Sequence, residues 1–132
     1  MANEAVCIET PTRFARFTVA NATGIAIGTL MKLTDPNTAI ATSADNDPFA
    51  GIAWEEKTAS DGITEIVVAL NGVWDILTTA AAITAGSLVS IGAANSVLVA
   101  DSDAVILGQV VGKAMETCAA AETIRVRVGE LV

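Results

Sequence analysis

A chain of 132 residues with 52% apolar side chains, three Phe, two Trp and neither His nor Tyr fits one domain with a thin core of Val, Ile, Leu and Ala, which suits short, closely packed strands. Fifteen acidic against seven basic groups leave a net charge of −8, which opposes the attraction to phosphates on which nucleic-acid binding rests, and the attraction to an anionic membrane. No apolar run approaches the roughly 20 residues that span a bilayer, so neither nucleic acid nor membrane is an expected partner.

The start, Met1-Ala2-Asn3-Glu4, lacks the basic residues and apolar run of a secretory signal; synthesis in a cytoplasm is expected. Residues 1–21 form a first segment whose charges, Glu4, Glu9, Arg13 and Arg16, cancel. The whole −8 therefore belongs to residues 22–132. Val6, Ile8, Phe14 and Phe17 on a neutral segment suit an extended strand that adds itself to a partner's sheet edge; an ordinary first strand is the alternative. Pro11 sets a break, with residues 1–10 reaching outward and 13–19 pairing within the body.

The rest of the chain repeats itself. At a shift of 58, Gly28-Thr29-Leu30-Met31-Lys32-Leu33 falls on Gly86-Ser87-Leu88-Val89-Ser90-Ile91, Asn37-Thr38-Ala39-Ile40 on Asn95-Ser96-Val97-Leu98, and Asp45 on Asp103. At 57, Phe49-Ala50-Gly51 falls on Ile106-Leu107-Gly108; at 58 again, Ile66-Val67-Val68-Ala69-Leu70 falls on Ile124-Arg125-Val126-Arg127-Val128. Two copies, about 22–70 and 80–129, are too few for a solenoid and predict an all-β domain, a small β-barrel or β-sandwich with internal duplication and an extended N-terminal arm. Four strands are expected per copy, near 25–33, 37–43, 49–56 and 63–70, then 86–91, 95–100, 104–113 and 122–129. Asp35-Pro36-Asn37 and Gly92-Ala93-Ala94-Asn95 supply turns. Strict alternation in Ile124-Arg125-Val126-Arg127-Val128 puts three apolar side chains on one face and two guanidinium groups on the other.

Candidates for chemistry are few. Without His, Ser-His-Asp and Cys-His nucleophilic arrangements are excluded, and no phosphate-cradling glycine spacing occurs. Glu55 and Glu56, adjacent on a strand, would point to opposite faces and so cannot act as a facing pair. Ser43-Ala44-Asp45-Asn46-Asp47 and Asp101-Ser102-Asp103 fit Asx turns better than calcium loops, because the glycine and distal Glu of an EF-hand are missing. Cys7 and Cys118 are too few and too distant for a disulfide framework or zinc site. Trp54 and Trp74 are expected in the core or at a subunit interface. No enzymatic activity, metal or cofactor is expected.

Two runs, Phe17 to Pro36 and Phe49 to Lys57, together with Asn71-Gly72-Val73-Trp74-Asp75 and Ile124 to Gly129, resemble the head decoration, or capsid cement, proteins of tailed bacteriophages. The resemblance implies a small β protein on the outer surface of the mature head, commonly a homotrimer, that clamps neighbouring major capsid protein subunits against internal DNA pressure. It implies no cofactor and no catalytic residue, and places the capsid-engaging arm within Ala2 to Phe17. The expected partner-binding residues are Val6, Ile8, Arg13, Phe14, Arg16, Phe17, Trp54 and Trp74. Another β-rich virion component, or a carbohydrate-binding module using an exposed tryptophan as a stacking platform, is the alternative.

Overall fold

The computed structural model describes residues 3–79 and 81–129. Strands β2 (Phe14–Thr18), β3 (Leu30–Asp35), β4 (Thr38–Ala41), β5 (Phe49–Ala53) and β6 (Glu65–Ala69) close into a five-stranded barrel in the order β2-β4-β3-β5-β6. The second half repeats the plan. Strands β7 (Gly72–Thr78), β8 (Leu88–Ile91), β9 (Ser96–Val99), β10 (Val110–Ala114) and β11 (Thr123–Val128), with helix α1 (Ser102–Ile106) between β9 and β10, pair in the order β7-β11-β10-β8-β9, and β9 returns to β7. Each barrel is closed by one short parallel pairing, Thr18 with Thr38 and Leu77 with Ser96. Strand β1 (Val6–Glu9) lies outside both rings, antiparallel to β7.

The duplication is thus an all-β pair of small barrels, and each barrel contains a strand ahead of the four expected. Phe17 faces Ile66 in the first barrel and Ile76 faces Ile124 in the second, so β2 and β7 are counterparts. The run expected as a strand from 104 to 113 is instead α1 followed by β10. The connection from β9 to β10 is three residues longer than that from β4 to β5, and the counterpart of Phe49-Ala50-Gly51 is therefore Val110-Val111-Gly112, not Ile106-Leu107-Gly108.

The alternation read in Ile124 to Val128 is realised. Ile124, Val126 and Val128 are buried while Arg125 is exposed. Both expected turns place an asparagine at positive φ, Asn37 and Asn95, each at 54°, where its short polar side chain tolerates the left-handed conformation. Buried apolar side chains form two clusters. One is centred on Met31, Ala39, Ile66 and Val68; the other joins Trp74, Ile76, Val89 and Val126 of the second barrel to Leu30 and Ile52 of the first.

Polar latches cross the same junction. The Leu30 N–H donates to Asn95 Oδ1 at 2.9 Å, and the Asn95 N–H donates to Thr42 Oγ1 at 3.2 Å. In the other direction, the Asn46 N–H donates to the Ile91 carbonyl at 2.8 Å, and the Ser90 hydroxyl donates to Asn46 Oδ1 at 2.9 Å. A buried donor left without its acceptor loses its full desolvation term, so these bonds fix how the barrels meet.

One backbone device recurs in both rings. The β3 to β5 register passes from Met31–Gly51 to Lys32–Phe49, and the β8 to β10 register from Val89–Gly112 to Ser90–Val110. Ala50 and Val111 are therefore bulged out, each followed by glycine. A Cβ on Gly51 would lie 2.7 Å from the Ala69 carbonyl oxygen, and one on Gly112 would run into that of Arg127. Gly112→Ala is expected to cost about 3 kcal/mol or more in urea unfolding. Gly24→Ala, exposed and with its nearest neighbours at 3.5 Å, should stay within about 0.5 kcal/mol.

Candidate partner-binding surface

The N-terminal segment is held by the link between the barrels. Asn71 Oδ1 accepts from the N–H groups of Thr12 and Arg13 at 2.9 and 3.0 Å, and Asn71 Nδ2 donates to Thr12 Oγ1 at 2.9 Å. Pro11 is buried beside them, and its fixed φ suits the corner between β1 and β2. Upstream, the Ala5 N–H donates to the Gly28 carbonyl at 2.8 Å. The expectation that residues 1–10 reach outward therefore meets a different arrangement. Residues 6–9 cross from the first barrel to lie along β7 of the second, Val6 opposite Asp75 and Cys7 opposite Trp74.

This pairing sorts the expected contact residues. Cys7 packs on the core, where burial pushes its thiol pKa up, while Val6 is 60% exposed and Ile8 is exposed too. Arg13, Phe14 and Arg16 are exposed on or beside β2, and Phe17 is half-buried against the first barrel's core. Trp74 is 1% exposed, its Nε1–H donating to the Asn71 carbonyl at 3.1 Å. A side chain so enclosed offers no stacking face. It connects to the surface through half-buried Trp54, edge-on at 6.0 Å, and then Phe14, whose ring centre is 5.5 Å from that of Trp54.

Carboxylates singled out in the sequence accept from backbone N–H groups. Glu55 Oε1 accepts from the Val67 N–H at 2.8 Å and Glu56 Oε1 from the Ile27 N–H at 3.5 Å. Asp101 caps α1 by accepting from the Ala104 N–H at 2.8 Å. Asp47 is buried, accepts from the N–H groups of Ser43 and Ala44, both at 2.9 Å, and pairs with Lys32 Nζ at 3.3 Å. Among the described residues no group of three or more His, Cys, Asp or Glu could hold a metal ion, and no helix is long and apolar enough to cross a membrane. One surface element escaped the sequence reading: α1 leaves Val105, Ile106 and Leu107 exposed. Three consecutive aliphatics in a connection were its only signal.

A small all-β protein of two duplicated barrels, with an apolar strand laid along its side, is the class that this architecture defines. Residues 63–129 match the phage cement protein family, and the chain belongs to that family. The match runs from β6 through the whole second barrel. No curated protein matches the chain. Membership makes the chain a structural component of a phage capsid with a cement role.

Burial raises the pKa of Asp47, but the N–H groups of Ser43 and Ala44 and the Lys32 ammonium outweigh it, and the net shift is downward. A carboxyl depressed in the folded state stabilises fully above its unfolded value, about 3.9, and loses that contribution as pH falls through its lower folded value. Asp47→Asn is expected to destabilise by about 1–3 kcal/mol at pH 7, the difference from wild type shrinking below about pH 4 in urea titrations at several pH values.

Proposed function

We propose that the chain is a decoration-type cement protein: a homotrimer on the outer surface of the mature phage head that clamps neighbouring major capsid protein subunits. It is made in the host cytoplasm and acts without catalysis or cofactor. Membership of the phage cement family carries this reading. Residues 1–21 engage the capsid and residues 22–132 form the body that spaces the contacts. Val6, Ile8, Arg13, Phe14, Arg16 and Phe17 are the contact residues, with Trp54 and Trp74 stiffening the aromatic column beneath Phe14.

Physical chemistry favours this division. The segment is neutral, so it approaches a partner without the repulsion that the body's −8 would impose on an acidic surface. Val6 and Ile8 stand exposed on a strand whose outer edge pairs with no described strand. Three chains carry 3 × −8 = −24, which favours solubility and discourages nonspecific nucleic-acid contact. Once one contact forms, the others act at high effective concentration.

The protein is expected to co-sediment with expanded heads and raise their rupture temperature, and light scattering should give the mass of three chains. Heads that rupture at the same temperature with and without it would refute clamping. The double variant Val6→Asp, Ile8→Asp should reduce head binding at least about tenfold with an unchanged urea midpoint, since both side chains are exposed.

A further inference from the structure

The duplication leaves one vacancy. On β7, one edge pairs with β11 from Gly72 to Leu77. The other edge is shared: β9 takes Leu77 and Thr78, and β1 takes Val73 to Asp75. On its counterpart β2, one edge pairs with β6 along Phe14 to Thr18, and β4 takes only Thr18 on the other. Phe14, Ala15 and Arg16, which stand where β7 has Val73, Trp74 and Asp75, have no described strand on that side.

The backbone groups there point outward. The Leu70 N–H donates to the Arg13 carbonyl and the Val19 N–H to that of Thr64, so by antiparallel alternation Ala15 and Phe17 face β6 while Phe14 and Arg16 face away. Thr18, next in that series, donates its N–H to the Asn37 carbonyl. The second anchor of the arm is also vacant in its counterpart. A Cβ on Gly28 would collide with Ala5, whereas one on Gly86 would meet nothing within 4 Å.

We infer that the Phe14–Arg16 edge of β2 is an acceptor slot for an extended strand of another protein, a capsid subunit in the reading above, on which this inference rests. The strand that fills the equivalent slot indicates its chemistry. Glu4-Ala5-Val6-Cys7-Ile8-Glu9 is aliphatic with a carboxylate at each end, and the vacant slot is flanked by exposed Arg13 and Arg16 beside the half-exposed Phe14 ring. The occupant is thus an acidic, aliphatic segment that adds main-chain bonds to Phe14 and Arg16, sets carboxylates against the two guanidinium groups and packs an apolar side chain on Phe14. The arm of a second copy has this pattern but is committed to its own β7, Gly28 and Asn71; moving it would strip three attachments to make one.

Arg16→Pro is the decisive variant. It deletes an outward N–H without touching the β6 ladder, the position in which an edge strand accepts proline; Arg16→Ala removes the charge alone. Binding to decoration-free heads of the parent phage should fall at least about tenfold for Arg16→Pro and less for Arg16→Ala, with unchanged circular dichroism and solution mass. Hydrogen exchange read by mass spectrometry should show residues 13–18 gaining protection on wild-type chains bound to heads. Undiminished binding by Arg16→Pro, or no gain of protection, overturns the inference and leaves the cement function standing. A fall in the solution mass of Arg16→Pro would assign the slot to a second copy and equally overturn it. If Arg16→Pro misfolds, the exchange measurement on wild type decides alone. Wild-type chains that do not bind heads would refute the cement function, and the inference with it.

Discussion

A sheet of five strands, each four to seven residues long, closes only if one strand bends sharply, and here the bend is made by a residue bulged out ahead of a glycine. Ala50-Gly51 and Val111-Gly112 occupy the same place in the two rings and bring the fourth strand against the carbonyl of the fifth, at Ala69 and at Arg127. Closure leaves each ring with few exposed main-chain edges, and the side chains buried in the rings are mostly aliphatic. The two tryptophans stand where the rings meet: buried Trp74, and half-buried Trp54 packed on it.

Two closed rings joined by a short link could tumble independently. They do not, because each sends a turn into the other: Asn95 satisfies the Leu30 N–H, and Asn46 engages Ser90 and Ile91. The turn that carries Asn46 is itself braced by Asp47 and Lys32. Its counterpart in the second half is longer, forms α1 and turns its aliphatic residues to solvent. The same connection therefore serves internal cohesion in one copy and the outer surface in the other.

What could be read from the sequence was what repeats in residue type. The alternation at Ile124 to Val128 and the turn asparagines at 37 and 95 carry their conformation in their chemistry. Strands β2 and β7 were harder, since Phe14-Ala15-Arg16-Phe17 and Val73-Trp74-Asp75-Ile76 share only a pattern and align at 59, not 58. With three extra residues around α1, the partner of Gly51 is Gly112, at a shift of 61, and not Gly108, at 57. Beyond them, Lys57 and Cys118 occupy equivalent bridges to Ile25 and Ile83. They share no chemistry: Lys57 is buried, donating to the Asn21 and Thr58 carbonyls and paired with Asp61, while Cys118 is a buried free thiol. The first segment stood out in the sequence by its charge balance and its aliphatic residues. Its route along β7 did not, because a pairing across more than sixty residues leaves no local trace.

That route orders events in time. Residues 6–9 leave the ribosome early, but their partners at 73–75 follow more than sixty residues later, a delay of roughly 3–13 s at about 5–20 residues per second. The first ring has all its strands by residue 69 and can close during that interval. Residues 6–9 thus have no β7 to pair with until every strand of the first ring has been made, and they cover the second ring's side only after that.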